Sequence, residues 1–501
     1  MPSRLRPCLA FAAAVLLVPW LAVLRADLTP ADVFLRAGDA LTRQWRFRDA
    51  FSMYGNAERV AEGPQRALAG VGIVSSAVRL AEFDFAFAKA AQLRRQYPGA
   101  PMVDTVFGEA AWASGLFDEA ESSFATALGR NGADGRARLG AARVLVARGH
   151  LNEALDNSLA AMAVLPEESD PHYLTGSISA RLGQMDRAVQ EYTKYLALLP
   201  DRETDKRTWI VGEIRFLRSL GRRVPGQIDP AQLTRRYTMP FRLVKDKVVV
   251  KARVNGGEWL DFVVDTGAER TAISAHTARR LGIVPISGTL SAGVGEIGLR
   301  GLQNAWLDSF ELGPLVVKNL ACLIKNPPLS ALPAPEAEAF SPLALGLSII
   351  VDYQKRELTI GRDLPEERHD VELPMWFYRL ATVRGLVNAD RPASFVVDTG
   401  GEVVSIGLDT ARALTPAPEL RRIPLQVFGV SGWDRDAYLQ PGVRVAFNAL
   451  TVRESAVVVL NLRAPSILLG YRIGGIVGYR FLSRYRVCID LGRATLGLSA
   501  N

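Results

Sequence analysis

Two patterns of apolar positions divide the chain. From about residue 31 to 202 apolar residues recur three and four apart, the spacing of one helix face, and the pattern itself repeats. Gly115, Gly149 and Gly183 stand 34 residues apart, as do Ala120, Ala154 and Ala188, and Pro166 and Pro200 close the last two units. The frame extends back to Ala86 with Pro98 and, more loosely, to Ala50 with Tyr54. Small residues suit positions where two helices cross closely, and glycine or proline suits the ends of units, so the spacing predicts five stacked helix pairs. Residues 203–220, with Trp209, Ile210, Ile214, Phe216 and Leu217, predict one more helix that covers the apolar face left open by the last pair. Pro225-Gly226 and Asp229-Pro230 then break the period. Beyond them the apolar runs are short and are punctuated by Asn255-Gly256-Gly257, Leu312-Gly313-Pro314 and Asn388-Ala389-Asp390, as hairpins of an all-β region require.

Inside the β region one phrase occurs twice. Phe262-Val263-Val264-Asp265-Thr266-Gly267 returns, 133 residues on, as Phe395-Val396-Val397-Asp398-Thr399-Gly400. A phenylalanine and two β-branched valines favour a buried strand, and Asp-Thr-Gly ends it in a turn. Each aspartate is therefore expected at the rim of a β-core. A lone carboxylate there would be costly to desolvate, whereas two such turns meeting across an interface can share one proton. The flanks repeat as well: Val254-Asn255 answers Val387-Asn388, and Ala344-Leu345-Gly346 lies at nearly the same distance after its aspartate as Ile476-Val477-Gly478 does after the other.

On these residues the stretch from about 237 to 499 resembles the aspartic proteases, in the retropepsin-like branch but with two lobes fused in one chain. Asp265 to Thr271 reads Asp-Thr-Gly-Ala-x-x-Thr, the first-motif pattern, and Gly478-Tyr479-Arg480-Phe481-Leu482 followed by Val487-Cys488-Ile489-Asp490 resembles the closing helix and strand. The second motif departs from the pattern by continuing Gly401-Glu402-Val403-Val404, and the short step from Gly346 to Asp352 leaves lobe one without a closing helix. The 34-residue helix pairs resemble tetratricopeptide repeats. The fold expected is multidomain: an α-solenoid of tetratricopeptide repeats followed by an all-β two-lobed aspartic protease domain. Its segments are 1–26, a signal peptide or signal anchor; 27–220, the repeats with their capping helix; 221–236, a linker; 237–363, lobe one; and 364–501, lobe two.

The resemblance implies an endopeptidase in which Asp265 and Asp398 are the catalytic pair: one carboxylate takes a proton from a water attacking the scissile carbonyl, and its protonated partner donates to the oxyanion. Thr266 and Thr399 would brace the two turns, and Gly267 and Gly400 would let the backbone pass close to the carboxylates. No metal or cofactor is called for. Gly293, Gly295 and Gly298 also satisfy a dinucleotide-binding spacing, but no helix follows, so a glycine-rich hairpin is the better reading. By resemblance that hairpin is a flap over the cleft, answered in lobe two by Gly429 and Trp433, with Tyr438 a further lining candidate. Pepsin-like enzymes carry a serine after Asp-Thr-Gly where this chain has Ala268 and Gly401. Activity is thus expected at mildly acidic to neutral pH. The rival expectation is a non-catalytic envelope scaffold or binding protein on a degenerate protease fold, to which the altered second motif points.

Composition narrows the partners. The chain has 501 residues, 49% of them hydrophobic, enough for several cores. Its net charge of +8 is spread along the chain, with no basic block interleaved with aromatics, which argues against nucleic acid. The four histidines, His150, His172, His276 and His369, show no zinc spacing, and no G-x-S-x-G serine is present. Arg4 and Arg6 precede an apolar run from Cys8 to Leu24 that is slightly short for a bilayer, so export is expected, to the periplasm, the envelope or the medium, with membrane contact only through an uncleaved N-terminal anchor. Cys322 and Cys488 sit in apolar strand-like runs and read better as buried thiols than as a disulfide. The partners expected are a protein or peptide substrate in the cleft and a protein segment in the repeat groove. The repeats are expected to fold without the protease, tethered by a linker reaching at most about 50 Å.

Overall fold

The computed structural model describes residues 28–290, 302–325, 338–414, 423–425, 427–429, 432–434, 436–452 and 456–500. The N-terminal segment 1–26 and the flap glycines Gly293, Gly295 and Gly298 lie outside the described residues.

The helical region consists of five antiparallel pairs and one closing helix: α1 (Pro30–Arg43) with α2 (Phe47–Val60), α3 (Gly63–Arg79) with α4 (Phe83–Gln96), α5 (Pro101–Ala113) with α6 (Phe117–Arg130), α7 (Gly135–Ala147) with α8 (Leu151–Val164), α9 (Ser169–Arg181) with α10 (Met185–Leu198), and α11 (Thr204–Ser219). Ala50, Ala86, Ala120, Ala154 and Ala188 are all fully buried at the helix crossings. The glycines of the 34-residue rhythm sit at the turn inside each pair, with φ of 74° at Gly115, 84° at Gly149 and 75° at Gly183. In the first two pairs Trp45 and Ala81 hold the same left-handed turn at φ 59° and 57°, which is why the glycine rhythm fades toward the N-terminus.

The chain forms two compact units, 1–97 and 98–501. The first contains α1 to α4, joined within itself by contacts such as Lys89 Nζ to Glu58 Oε1 at 2.7 Å. The second unites α5 to α11 with the whole β region. Trp112 at the end of α5 meets the rings of Tyr378 and Tyr471 at 5.2 and 6.4 Å, and Phe117 meets Tyr471 and Trp376 at 5.1 and 5.5 Å. The Arg148 guanidinium lies 3.6 Å over Trp376, and Arg472 N–H donates to the Ala113 carbonyl at 2.8 Å. From α5 onward, therefore, the repeats are packed on the β region and are not the independent array expected: side chains at and beside the turns that follow α5 and α7 meet lobe two.

Segment 221–236 is likewise no free tether. Gln227–Ile228 pairs with the strand Leu315–Lys325, and the short helix Pro230–Leu233 is tied to it by Gln232 Nε2 donating to the Pro314 carbonyl at 2.9 Å. Among the described residues, lobe one together with Gln227–Ile228 forms a nine-stranded sheet, and lobe two provides most of a fifteen-stranded one. Between the lobes runs a shared layer ordered Val371–Phe377, Thr495–Ala500, Tyr485–Asp490, Ser348–Asp352, Glu357–Gly361, Tyr237–Pro240, with Ile350 opposite Cys488 at its centre. Cys322 and Cys488 are buried and free. Tyr237–Pro240, Ser348–Asp352 and Glu357–Gly361 thus serve the shared layer although they fall within the lobe-one boundaries. No helix among the described residues is long and apolar enough to cross a membrane.

Candidate active site

Each lobe builds its aspartate in the same way. Strand Trp259–Val264 buries Phe262 and Val264 completely, and strand Arg391–Val397 does the same with Phe395 and Val397. Each runs parallel to a short partner, Ala339–Phe340 in lobe one and Gly475–Val477 in lobe two. Asp265 N–H donates to the Phe340 carbonyl at 2.9 Å and Asp398 N–H to the Val477 carbonyl at 3.0 Å. This equivalence corrects the sequence alignment: Phe340-Ser341, not Leu345-Gly346, answers Val477-Gly478. Lobe one then makes a single 3-10 turn, Leu343–Leu345, where lobe two has the helix Tyr479–Leu482, so the closing helix is reduced to one turn.

The two turns brace each other as expected. Thr266 Oγ1 donates to the Val397 carbonyl at 2.7 Å and Thr399 Oγ1 to the Val264 carbonyl at 2.6 Å. Thr266 N–H donates to Thr399 Oγ1 at 3.2 Å, and Thr399 N–H to Thr266 Oγ1 at 3.0 Å. Both threonines are buried, and each hydroxyl bridges the two lobes. The glycines bring the carboxylates together: a Cβ on Gly267 would lie 2.5 Å from Asp398 Cγ, and one on Gly400 2.8 Å from Asp265 Cγ. Each turn therefore presses on the other lobe's aspartate.

The departure in the second motif fits this site. Gly400 and Gly401 N–H groups donate to Asp398 Oδ1 at 2.8 and 2.9 Å, and a Cβ at Gly401 would crowd Asp398 Oδ2 at 2.9 Å. Burial first, and the negative charge of the neighbouring Asp265 second, push the Asp398 carboxyl up to about 7 against the pull of these two N–H donors, and a hydrogen bond to Asp265 adds to the rise. A pair in which one carboxyl keeps its proton to near neutrality, beside a second carboxylate, can both accept a proton from water and donate one.

Gly429 and Trp433 fall in a two-stranded hairpin, Val427–Gly429 with Gly432–Asp434, in which Phe428 pairs with Trp433 and Gly429 with Gly432. The Asp434 carboxylate anchors its end by accepting from Asn461 N–H at 2.7 Å. Tyr438 belongs to the core. No cluster of His, Cys, Asp or Glu that could hold a metal occurs among the described residues.

Sequence reasoning passed over the residues just after the first motif. Glu269 accepts from Arg379 Nε of lobe two at 2.7 Å, and Arg270 reaches Glu213 of α11 at 2.8 Å. Their adjacency to Asp-Thr-Gly-Ala was the available signal; their partners, 110 and 57 residues away, had none.

Residues 250–349 match the family model described as aspartyl protease. That match lies within lobe one and takes in the first Asp-Thr-Gly turn, so the chain carries an aspartyl-protease-like β region behind an array of tetratricopeptide-type helix pairs. None of the curated protein sequences matches it. Among solved structures it is similar to a thermophilic TPR protein of Thermus thermophilus, at 19% identity over 38% of this chain and 100% of that one, TM-score 0.32. It is also similar to MamA of Desulfovibrio magneticus RS-1, at 16% identity over 35% and 97%, TM-score 0.25. The assignment of the repeats rests on their own helix pairing and 34-residue period.

Proposed function

We infer that this protein is an aspartic endopeptidase that hydrolyses peptide bonds with a water activated between Asp265 and Asp398. The observation that carries this reading is the reciprocal bracing of the two Asp-Thr-Gly turns, which places two carboxyls in hydrogen-bonding contact with one of them raised to about 7. In the reaction, the ionised carboxylate takes a proton from the water as its oxygen attacks the scissile carbonyl. The protonated carboxyl donates to the carbonyl oxygen as it becomes an alkoxide. When the C–N bond breaks, the carboxyl that took the water's proton passes it to the leaving amine, and a hydroxyl of the tetrahedral species returns its proton to the other carboxylate, which restores the singly protonated pair. The altered second motif is compatible with this reading, because Gly401 N–H donates to Asp398 Oδ1 while a Cβ at that position would crowd Asp398 Oδ2.

The repeats then divide their work. α5 to α11 support the protease, and the first unit, with Val33, Leu68 and Phe85 exposed, is the part that engages a protein partner or delivers substrate. The basic-then-apolar start of the chain supports work outside the cytoplasm, which fractionation of cells expressing the intact protein tests. The enzymatic reading is tested by incubating the purified protein with a denatured protein at pH 5 to 7. Wild type should generate discrete fragments, and Asp265→Asn none.

A further inference from the structure

A helix of the repeat array holds the residues that follow the first aspartate. α11 lies on lobe one along one stripe, Gly212, Glu213, Phe216 and Ser219, spaced as a single helix face. A Cβ on Gly212 would come within 2.8 Å of the Gly288 carbonyl oxygen, so backbone meets backbone there. Phe216 stacks on Trp306 with centroids 4.3 Å apart, and Trp306 Nε1 donates to Ser219 Oγ at 3.0 Å. At the centre of the stripe the Glu213 carboxylate, 7% exposed, accepts from Arg270 Nη2 at 2.8 Å. Its second oxygen is buried with no partner among the described residues. Arg270 Nη1 donates to Asn304 Oδ1 at 2.8 Å, and the fully buried Asn304 donates from Nδ2 to Ser287 Oγ at 3.2 Å. Ser287 and Asn304 are themselves paired across the strands Ser287–Gly288 and Leu302–Leu312.

We propose that Arg270 is a positioning residue of the active site, and that Glu213 makes α11 of the repeat array part of the catalytic apparatus by fixing it. The proposal rests on the peptidase reading. A buried carboxylate is strongly destabilising unless paired, so Glu213 has to hold a cation, and only the planar fork of arginine serves Glu213 and Asn304 together. Between Arg270 and Asp265 lies Gly267, already pressed against the Asp398 carboxyl. Any shift of the 267–270 turn therefore displaces the dyad, and a misplacement of about 1 Å costs on the order of a hundredfold in rate. The repeats would thus set the rate of cleavage as well as the choice of protein cleaved.

The test uses the intact chain with Glu213→Gln, Arg270→Lys, Arg270→Leu and the Glu213→Gln/Arg270→Leu double variant. Two readouts apply: kcat and KM on a short peptide taken from a cleaved protein, and amide hydrogen exchange at Ile286 and Thr289, whose N–H groups donate to Asn304 and Leu302 carbonyls. Arg270→Leu should lower kcat about tenfold or more with KM little changed, the pattern of an interaction expressed in the transition state. Arg270→Lys should restore part of that loss, and the double variant should be no worse than Arg270→Leu. Exchange at Ile286 and Thr289 should quicken in Glu213→Gln and Arg270→Leu while the Ser348–Asp352 strand stays protected. Unchanged kcat in folded Arg270→Leu, or strictly additive losses in the double variant, would overturn the proposal. If the wild type cleaves nothing, the enzymatic reading fails, and unchanged exchange in Glu213→Gln would then overturn the coupling too.

Discussion

Four small residues, Thr266, Gly267, Thr399 and Gly400, hold the two carboxyls together. Removing the Thr399 hydroxyl leaves the buried Val264 carbonyl and Thr266 N–H without their partner, each at about 1–3 kcal/mol. Thr399→Val should therefore lower the unfolding free energy by about 2–6 kcal/mol and abolish cleavage, while Thr399→Ser, which keeps the hydrogen bonds, should stay within about 1 kcal/mol of wild type in a denaturant titration. Gly400→Ala should remain folded yet inactive, because its methyl group would occupy the space of the Asp265 carboxyl. The pH dependence has a definite sign. The folded Asp398 carboxyl is raised to about 7 from 3.8, so the native state holds a proton that the unfolded chain releases in that window. The contribution to stability is largest below about 4, is lost as pH rises, and levels off above about 7. Asp398→Asn should flatten that slope in melting curves taken between pH 4 and 8. Wild-type activity should fall as the pH passes about 7, when the shared proton leaves.

At the scale of elements, what could be read from the chain was whatever repeats. The helix pairs showed in glycines and alanines 34 residues apart, because each marks a left-handed turn or a close crossing. The dyad showed because the same strand and turn had to be built twice. The lobe-one partner of Val477-Gly478 could not be read, since Phe340-Ser341 matches it in backbone pairing and not in residue type. Nor could the double duty of α11 be read. Ile210, Ile214 and Leu217 mark it as a cap, but its second stripe contains Gly212, Glu213 and Ser219, which look solvated in sequence. The aromatic seam is equally silent, because Trp112, Trp376 and Tyr471 are far apart in the chain. Trp112 is 3% exposed, and Trp112→Ala should cost about 3–5 kcal/mol in thermal or denaturant unfolding. A cost below about 1 kcal/mol would show that α5 does not support lobe two.

For the whole molecule, the boundary that matters runs near residue 97 and not at the 221–236 segment. A 98–501 fragment should be soluble and melt in one transition, whereas 237–501 would expose Trp306, Trp376, Tyr378 and Tyr471 together and should aggregate or unfold at lower temperature. Equal melting temperatures for the two fragments would show that the repeats add nothing to the fold of the β region. The central claim is that two lobes supply one site, and the most direct measurement is the cleavage rate of a denatured protein by Asp265→Asn, Asp398→Asn and the double variant, alongside wild type at pH 6. Each single substitution should abolish cleavage and the double variant should be no worse, since the two carboxyls act as a unit. Substantial cleavage by either single variant would contradict it.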